Sequence, residues 1–159
     1  MKRPIISAAI VVALAATGCT NAGYDKGEST PQNEGANADA KGVLHLRNAY
    51  LLSGPNPASP APQQALYAVM VNNSHKPDQL QRVTVDGGGG SVQLSGNMDI
   101  PPNQPVGANG PIGTVTGVRG SSVPMTFTFR DAGNVRLNVP VKPKTGQYAT
   151  MNPAASPAG

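Results

Sequence analysis

The chain has 159 residues, 38% of them hydrophobic and only 13% charged, with 19 Gly and 16 Pro. That length suits one domain with a core, and the composition suits strands joined by turns better than helices. Trp is absent and the aromatics are four Tyr and two Phe, so the core must come mainly from Val, Leu, Ile, Met and Ala. The formal charge is +4, but Lys2 and Arg3 lie in a segment expected to be removed. The other basic residues are scattered singly with no aromatic-interleaved run, which excludes a nucleic-acid footprint.

Residues 1–18 have the architecture of a secretory signal. Met1 to Arg3 form a positive start, Ile5 to Ala16 an apolar run broken only by Ser7, and Ala16-Thr17-Gly18-Cys19 follows. A dozen apolar residues fall short of the ~20 that a spanning helix needs. The one cysteine of the chain stands directly after small residues at the end of this run. The segment resembles a bacterial lipobox, with cleavage between Gly18 and Cys19 and Ala16 where Leu is usual. The resemblance implies a diacylglycerol thioether on the Cys19 sulfur, further acylated as in palmitate-bearing lipoproteins. With Cys19 consumed, no disulfide and no cysteine-based zinc site remains.

From Thr20 to Lys41 there is no Val, Ile, Leu, Met or Phe, so residues 19–41 read as a lipidated cysteine with a flexible tether. Residues 143–159 read as a disordered tail, which leaves 42–142 for the folded domain. Within it, apolar alternation between turn signals recurs about every ten residues, the cadence of a β-sandwich. Seven strands are expected: Val43 to Leu52, Ala65 to Asn72, Gln79 to Asp86, Ser91 to Leu94, Ile112 to Val118, Val123 to Arg130 and Asn134 to Val141. The last two are the plainest. Met125, Phe127 and Phe129 alternate with Thr126, Thr128 and Arg130, then Val135, Leu137 and Val139 with Arg136 and Asn138, across a short Asp131-Ala132-Gly133-Asn134 connection. The strand at Tyr67, Val69 and Val71 is apolar on both faces and should be central or covered. The proline-rich stretches Pro55 to Gln64 and Pro101 to Pro111 cannot be central strands.

No catalytic signature emerges. Ser74, His75 and Asp78 offer the residue types of a hydrolytic triad but sit in one short turn, whereas a working triad converges from separate elements. The glycines at 87–90 and at 107, 110 and 113 lack the following helix and Lys-Ser/Thr pair of a phosphate cradle. Asp78, Asp86, Asp99 and Asp131 fall at separate turns, which gives no support to paired-carboxylate chemistry. Thioethers suit Cu(I), but Met70 and Met125 fit inward core positions, Met151 lies in the tail, and no His-x-Met pair exists.

From Val43 to Val141 the order of features resembles the PCu(A)C-like periplasmic copper chaperone family, and within it the actinobacterial, LpqE-like lipoprotein branch. The resemblance rests on Ala65-Leu66-Tyr67-Ala68-Val69-Met70-Val71-Asn72-Asn73, the Leu80 to Val85 strand, the Pro101-Pro102 turn, and Val123-Pro124-Met125-Thr126-Phe127-Thr128-Phe129 with Ala132-Gly133-Asn134-Val135. It implies a cupredoxin-like, immunoglobulin-like sandwich. The family's copper ligands, a His with a downstream Met and a later His-x-Met, would fall near Ser95, Ile112 and Thr114, none of which supplies the ligand. Met98, His45 and His75 are the residues left for a rearranged site.

The reading is an all-β lipoprotein domain on the extracytoplasmic face of the cell membrane. It is non-enzymatic, without a catalytic residue or a resident cofactor or metal, and binds an envelope protein or ligand. A copper chaperone using Met98 with a histidine is the alternative, and an envelope hydrolase a third.

Overall fold

The computed structural model describes residues 34–56, 59 and 61–151. The signal segment, Gly18, Cys19 and most of the expected tether lie outside the described residues. Ten strands follow in order: β1 (Ala36–Ala40), β2 (Leu44–Leu52), β3 (Gln63–Asn72), β4 (Asp78–Val85), β5 (Ser91–Leu94), β6 (Met98–Ile100), β7 (Pro105–Val106), β8 (Gly113–Thr116), β9 (Ser122–Phe129) and β10 (Gly133–Lys142), then a 3-10 turn at Gly146–Tyr148.

The strands form two layers. One runs β5-β8-β3-β2, with β1 paired to β2 and β7 to β3; the other runs β10-β9-β4-β6. Strand β10 links them, because its end lies parallel to β2 with Val141 opposite Leu51 and Lys142 opposite Leu52. Alternation drives the layers together. Val123, Met125, Phe127 and Phe129 of β9 and Val135, Leu137 and Val139 of β10 all point into the core, in a register that sets Val135 against Phe127 and Leu137 against Met125. Gly133 opens β10 at φ 84°, the left-handed conformation that lets a three-residue connection close a hairpin. Leu46, Leu66 and Met70 complete the core from the other layer. The sandwich expected from the cadence is thus formed, and all seven expected strands are present within a few residues of their expected bounds.

Three strands go beyond the expected seven, and one of them falls in the expected tether. Residues 36–40, assigned to the tether, form β1 and pair with β2 from Ala36 opposite Ala49 to Ala40 opposite Leu44. The reason is a period-two pattern in small residues: Ala36, Ala38 and Ala40 turn toward the core while Asn37 and Asp39 face out. Side chains lock the strand, since Asn37 Oδ1 accepts Asn48 N–H at 2.8 Å and Asn48 Oδ1 accepts Gly35 N–H at 2.9 Å. Residues 143–151, assigned to the tail, lie on the domain, with Tyr148 buried against Tyr50, Leu52, Ala65 and Tyr67. Strands β6 and β7 are only three and two residues long. The Pro105 stretch therefore does enter the sheet, but as a fragment at an edge, where proline is tolerated.

Candidate functional site

The positions to which the family resemblance assigns copper ligands are brought together. Ser95 follows β5 and Ile112 precedes β8, and Ser95 N–H donates to the Ile112 carbonyl at 2.9 Å. The Ser95 hydroxyl donates to the Pro111 carbonyl at 3.4 Å, Ile112 is buried, and Thr114 sits on β8 opposite Gln93 and Ala65. An alkyl side chain in the core and two hydroxyls are not a soft donor set, so these residues do not fit Cu(I).

The three residues left for a rearranged site stand on three different elements. Met98 opens the edge strand β6 opposite Leu80 and packs against the main core. His45 belongs to the other layer, on β2, with Nδ1 2.7 Å from Asp39 Oδ1. That same oxygen accepts Arg47 Nη2–H at 2.6 Å. The hydrogen bond from His45, then that from Arg47, holds the Asp39 carboxyl below its usual range. His75 sits in the turn between β3 and β4. Among the described residues, no group of three or more His, Cys, Asp or Glu is placed to hold a metal.

The Ser74, His75 and Asp78 turn is organised around backbone groups. Ser74 Oγ–H donates to the Lys76 carbonyl at 2.8 Å. Asp78 is buried, and its Oδ1 accepts the amides of Gln79 at 2.7 Å and Asp131 at 2.9 Å, while Oδ2 accepts that of Ala132 at 2.9 Å. Asp78 thus fastens the β9–β10 turn to the start of β4, with its carboxylate committed to amides. Folding does bring two of the four aspartates, Asp78 and Asp131, to one place, but through the Asp131 backbone.

A feature with no sequence counterpart lies on the outer face of β2 and β3. A bulge at Asn48, with φ 51°, shifts the register between Arg47 and Tyr50 so that Ala49 enters the core and Tyr50 faces out, a use of bulges that is common near sites. Tyr50 stacks on Tyr67 with ring centroids 5.0 Å apart and planes at 8°, and Tyr148 leans on Tyr50 at 5.5 Å and 54°. Tyr50 O–H donates to Met151 Sδ at 3.4 Å. Burial first, then the neighbouring Tyr67 and Tyr148, raises the Tyr50 phenol pKa. Beside this cluster runs an open groove of about 660 Å³ edged by Arg47, Asn48, Val69, the 107–110 loop and Met151. A volume of that order admits a small organic ligand or a few side chains. The signal in the sequence was slight: Tyr148 and Met151 are the only large apolar residues after Val141.

No protein-family model and no curated protein matches the chain. Among solved structures, the chain is similar to the apo PCuAC domain from PmoF1, at 23% identity over 67% of this chain and 98% of that one, with a TM-score of 0.53. It is similar as well to the copper-bound PCuAC domain from PmoF2, at 23% identity over 67% and 97%, TM-score 0.55. The apo PmoF2 PCuAC domain gives 18% identity over 69% and 97%, TM-score 0.53. At these identities the likeness establishes the fold: the domain is a PCuAC-like β-sandwich.

Proposed function

We propose that the chain is an extracytoplasmic lipoprotein of the LpqE-like kind, anchored through lipid on Cys19, whose PCuAC-like domain is a non-enzymatic binding module that does not use its fold-relatives' copper chemistry. The observation that carries the reading is the pairing of Ser95 with Ile112, which joins the positions of the expected ligand set but offers a hydroxyl and an alkyl group. Support for binding over catalysis comes from Asp78, whose two oxygens are taken up by three amides.

The anchor is tested by detergent phase partition of the wild-type chain and the Cys19→Ala variant. The expected result is detergent-phase protein that moves to the aqueous phase on substitution, since each acyl methylene adds ~0.8 kcal/mol of membrane affinity. Retention of the variant in the detergent phase overturns the anchor. The copper-chaperone alternative draws on the copper-bound PCuAC domain among the structural neighbours and requires Met98 with His45 or His75. It predicts tight Cu(I) binding that disappears when those three residues are replaced.

A further inference from the structure

Strand β5 ends its layer: among the described residues it pairs with β8 on one side and with no strand on the other. The register runs from Ser91 opposite Thr116 to Leu94 opposite Gly113, and Ser95 N–H, one residue on, donates to the Ile112 carbonyl. Bonded residues alternate along an antiparallel pair, so Ser91, Gln93 and Ser95 turn their main-chain groups toward β8. Val92 and Leu94 therefore turn theirs to the open edge. Among the described residues, no hydrogen bond reaches the amide or carbonyl of either. The other short edges are blunted by charge or proline, the devices that keep free edges from pairing. Strand β6 carries Asp99 and runs into Pro101-Pro102, β7 opens on Pro105, and β1 holds Asp39 and is followed by Lys41. From Gly87 to Asn97 there is no charged residue and no proline.

This edge is complementary to itself. Two copies laid antiparallel about a two-fold axis at Gln93 set Val92 of each opposite Leu94 of the other. Each such pair exchanges two main-chain hydrogen bonds, so the outward amides and carbonyls of both copies are all satisfied in one register. The side chains match in the same register. Val92 and Leu94 are partly buried against the core, and each gains an aliphatic neighbour from the second copy. Gln93 is exposed and meets its own symmetry mate, a carboxamide pair able to exchange hydrogen bonds. A slip of two residues sets Leu94 opposite Gly90, or Val92 opposite Gly96, and loses that match.

We propose that two copies of the chain join edge to edge through β5, continuing one sheet across a two-fold axis at Gln93. A strand of four residues falls short of the area that a permanent dimer buries, so the association is reversible. The test is disulfide trapping in the full chain, in zwitterionic detergent, with Cys19→Ala so that an introduced cysteine is the sole thiol. Diamide serves as the oxidant and takes up the two electrons and two protons that the thiols lose. Gln93→Cys places its thiol on the axis, in a non-bonded pair with Cα atoms about 4.5 Å apart, within disulfide reach. Ser91→Cys lies on the same exposed strand face but roughly 13 Å along the strand from its mate. Gln93→Cys should give at least about tenfold more covalent dimer than Ser91→Cys. A mixture of Ser91→Cys and Ser95→Cys chains should trap as the mixed dimer, since those positions stand opposite each other. Equal trapping of Gln93→Cys and Ser91→Cys, as random collision gives, overturns the proposal. So does a folded Gln93→Cys chain that stays monomeric, or a Ser91→Cys and Ser95→Cys mixture that yields no mixed dimer.

Discussion

Asp78 illustrates how one buried acid is used for construction. Its carboxylate accepts three amides from two elements, and removing it strands those donors in a largely buried place. Asp78→Ala is expected to lower stability by about 2–4 kcal/mol and Asp78→Asn by less, read from chemical denaturation. Tyr148 is the equivalent on the apolar side: truncating it uncovers the stacked Tyr50 and Tyr67, so Tyr148→Ala should cost about 3 kcal/mol. Asp39 carries a pH signature. Its pKa is lowered in the fold by His45 and Arg47, so its contribution is present above the unfolded carboxylate value near ~4 and is lost as the pH falls through the lower folded value. Acid-unfolding curves of Asp39→Asn should therefore be less steep below about pH 4 than those of wild type.

At the scale of elements, the glycines separate into those that turn and those that touch. A Cβ on Gly107 would stand 2.2 Å from the Ala68 carbonyl oxygen, at φ 88°, whereas one on Gly88 would meet nothing within 4 Å, at φ 73°. Gly88→Ala should cost about 1 kcal/mol, for left-handed backbone alone. Gly107→Ala should cost at least about 3 kcal/mol, because backbone must move, and thermal unfolding of the pair checks the difference. Legibility followed the same physics. The β9–β10 hairpin could be read in advance because Met125, Phe127 and Phe129 face Leu137 and Val135 in strict alternation around one glycine turn. Strand β1 could not, since its inward residues are alanines and the Asn37 and Asn48 side chains that reinforce its ladder with β2 leave no apolar pattern. Nor could the tyrosine groove, where Tyr50 meets Met151 from 101 residues away and faces outward only because of a bulge.

At the scale of the described domain, the two ends of the sandwich are built differently. One clasps the incoming chain to the outgoing one through Glu34, Lys142 and Tyr148, and the other gathers three turns around Val43. Between them, the likeness to PCuAC domains extends to 98% of one such domain, so the sandwich is shared while the side chains at Ser95 and Ile112 differ in kind from copper ligands. The fold is legible because fold-determining positions are many and redundant, whereas a metal site depends on a few side chains. The most direct test is competition for Cu(I) between the full chain and a chromophoric chelator under reducing conditions. The account predicts that the chelator keeps its copper, with no change on replacing Met98, His45 and His75. One-to-one withdrawal of copper by the wild-type chain, lost in that triple variant, would contradict it.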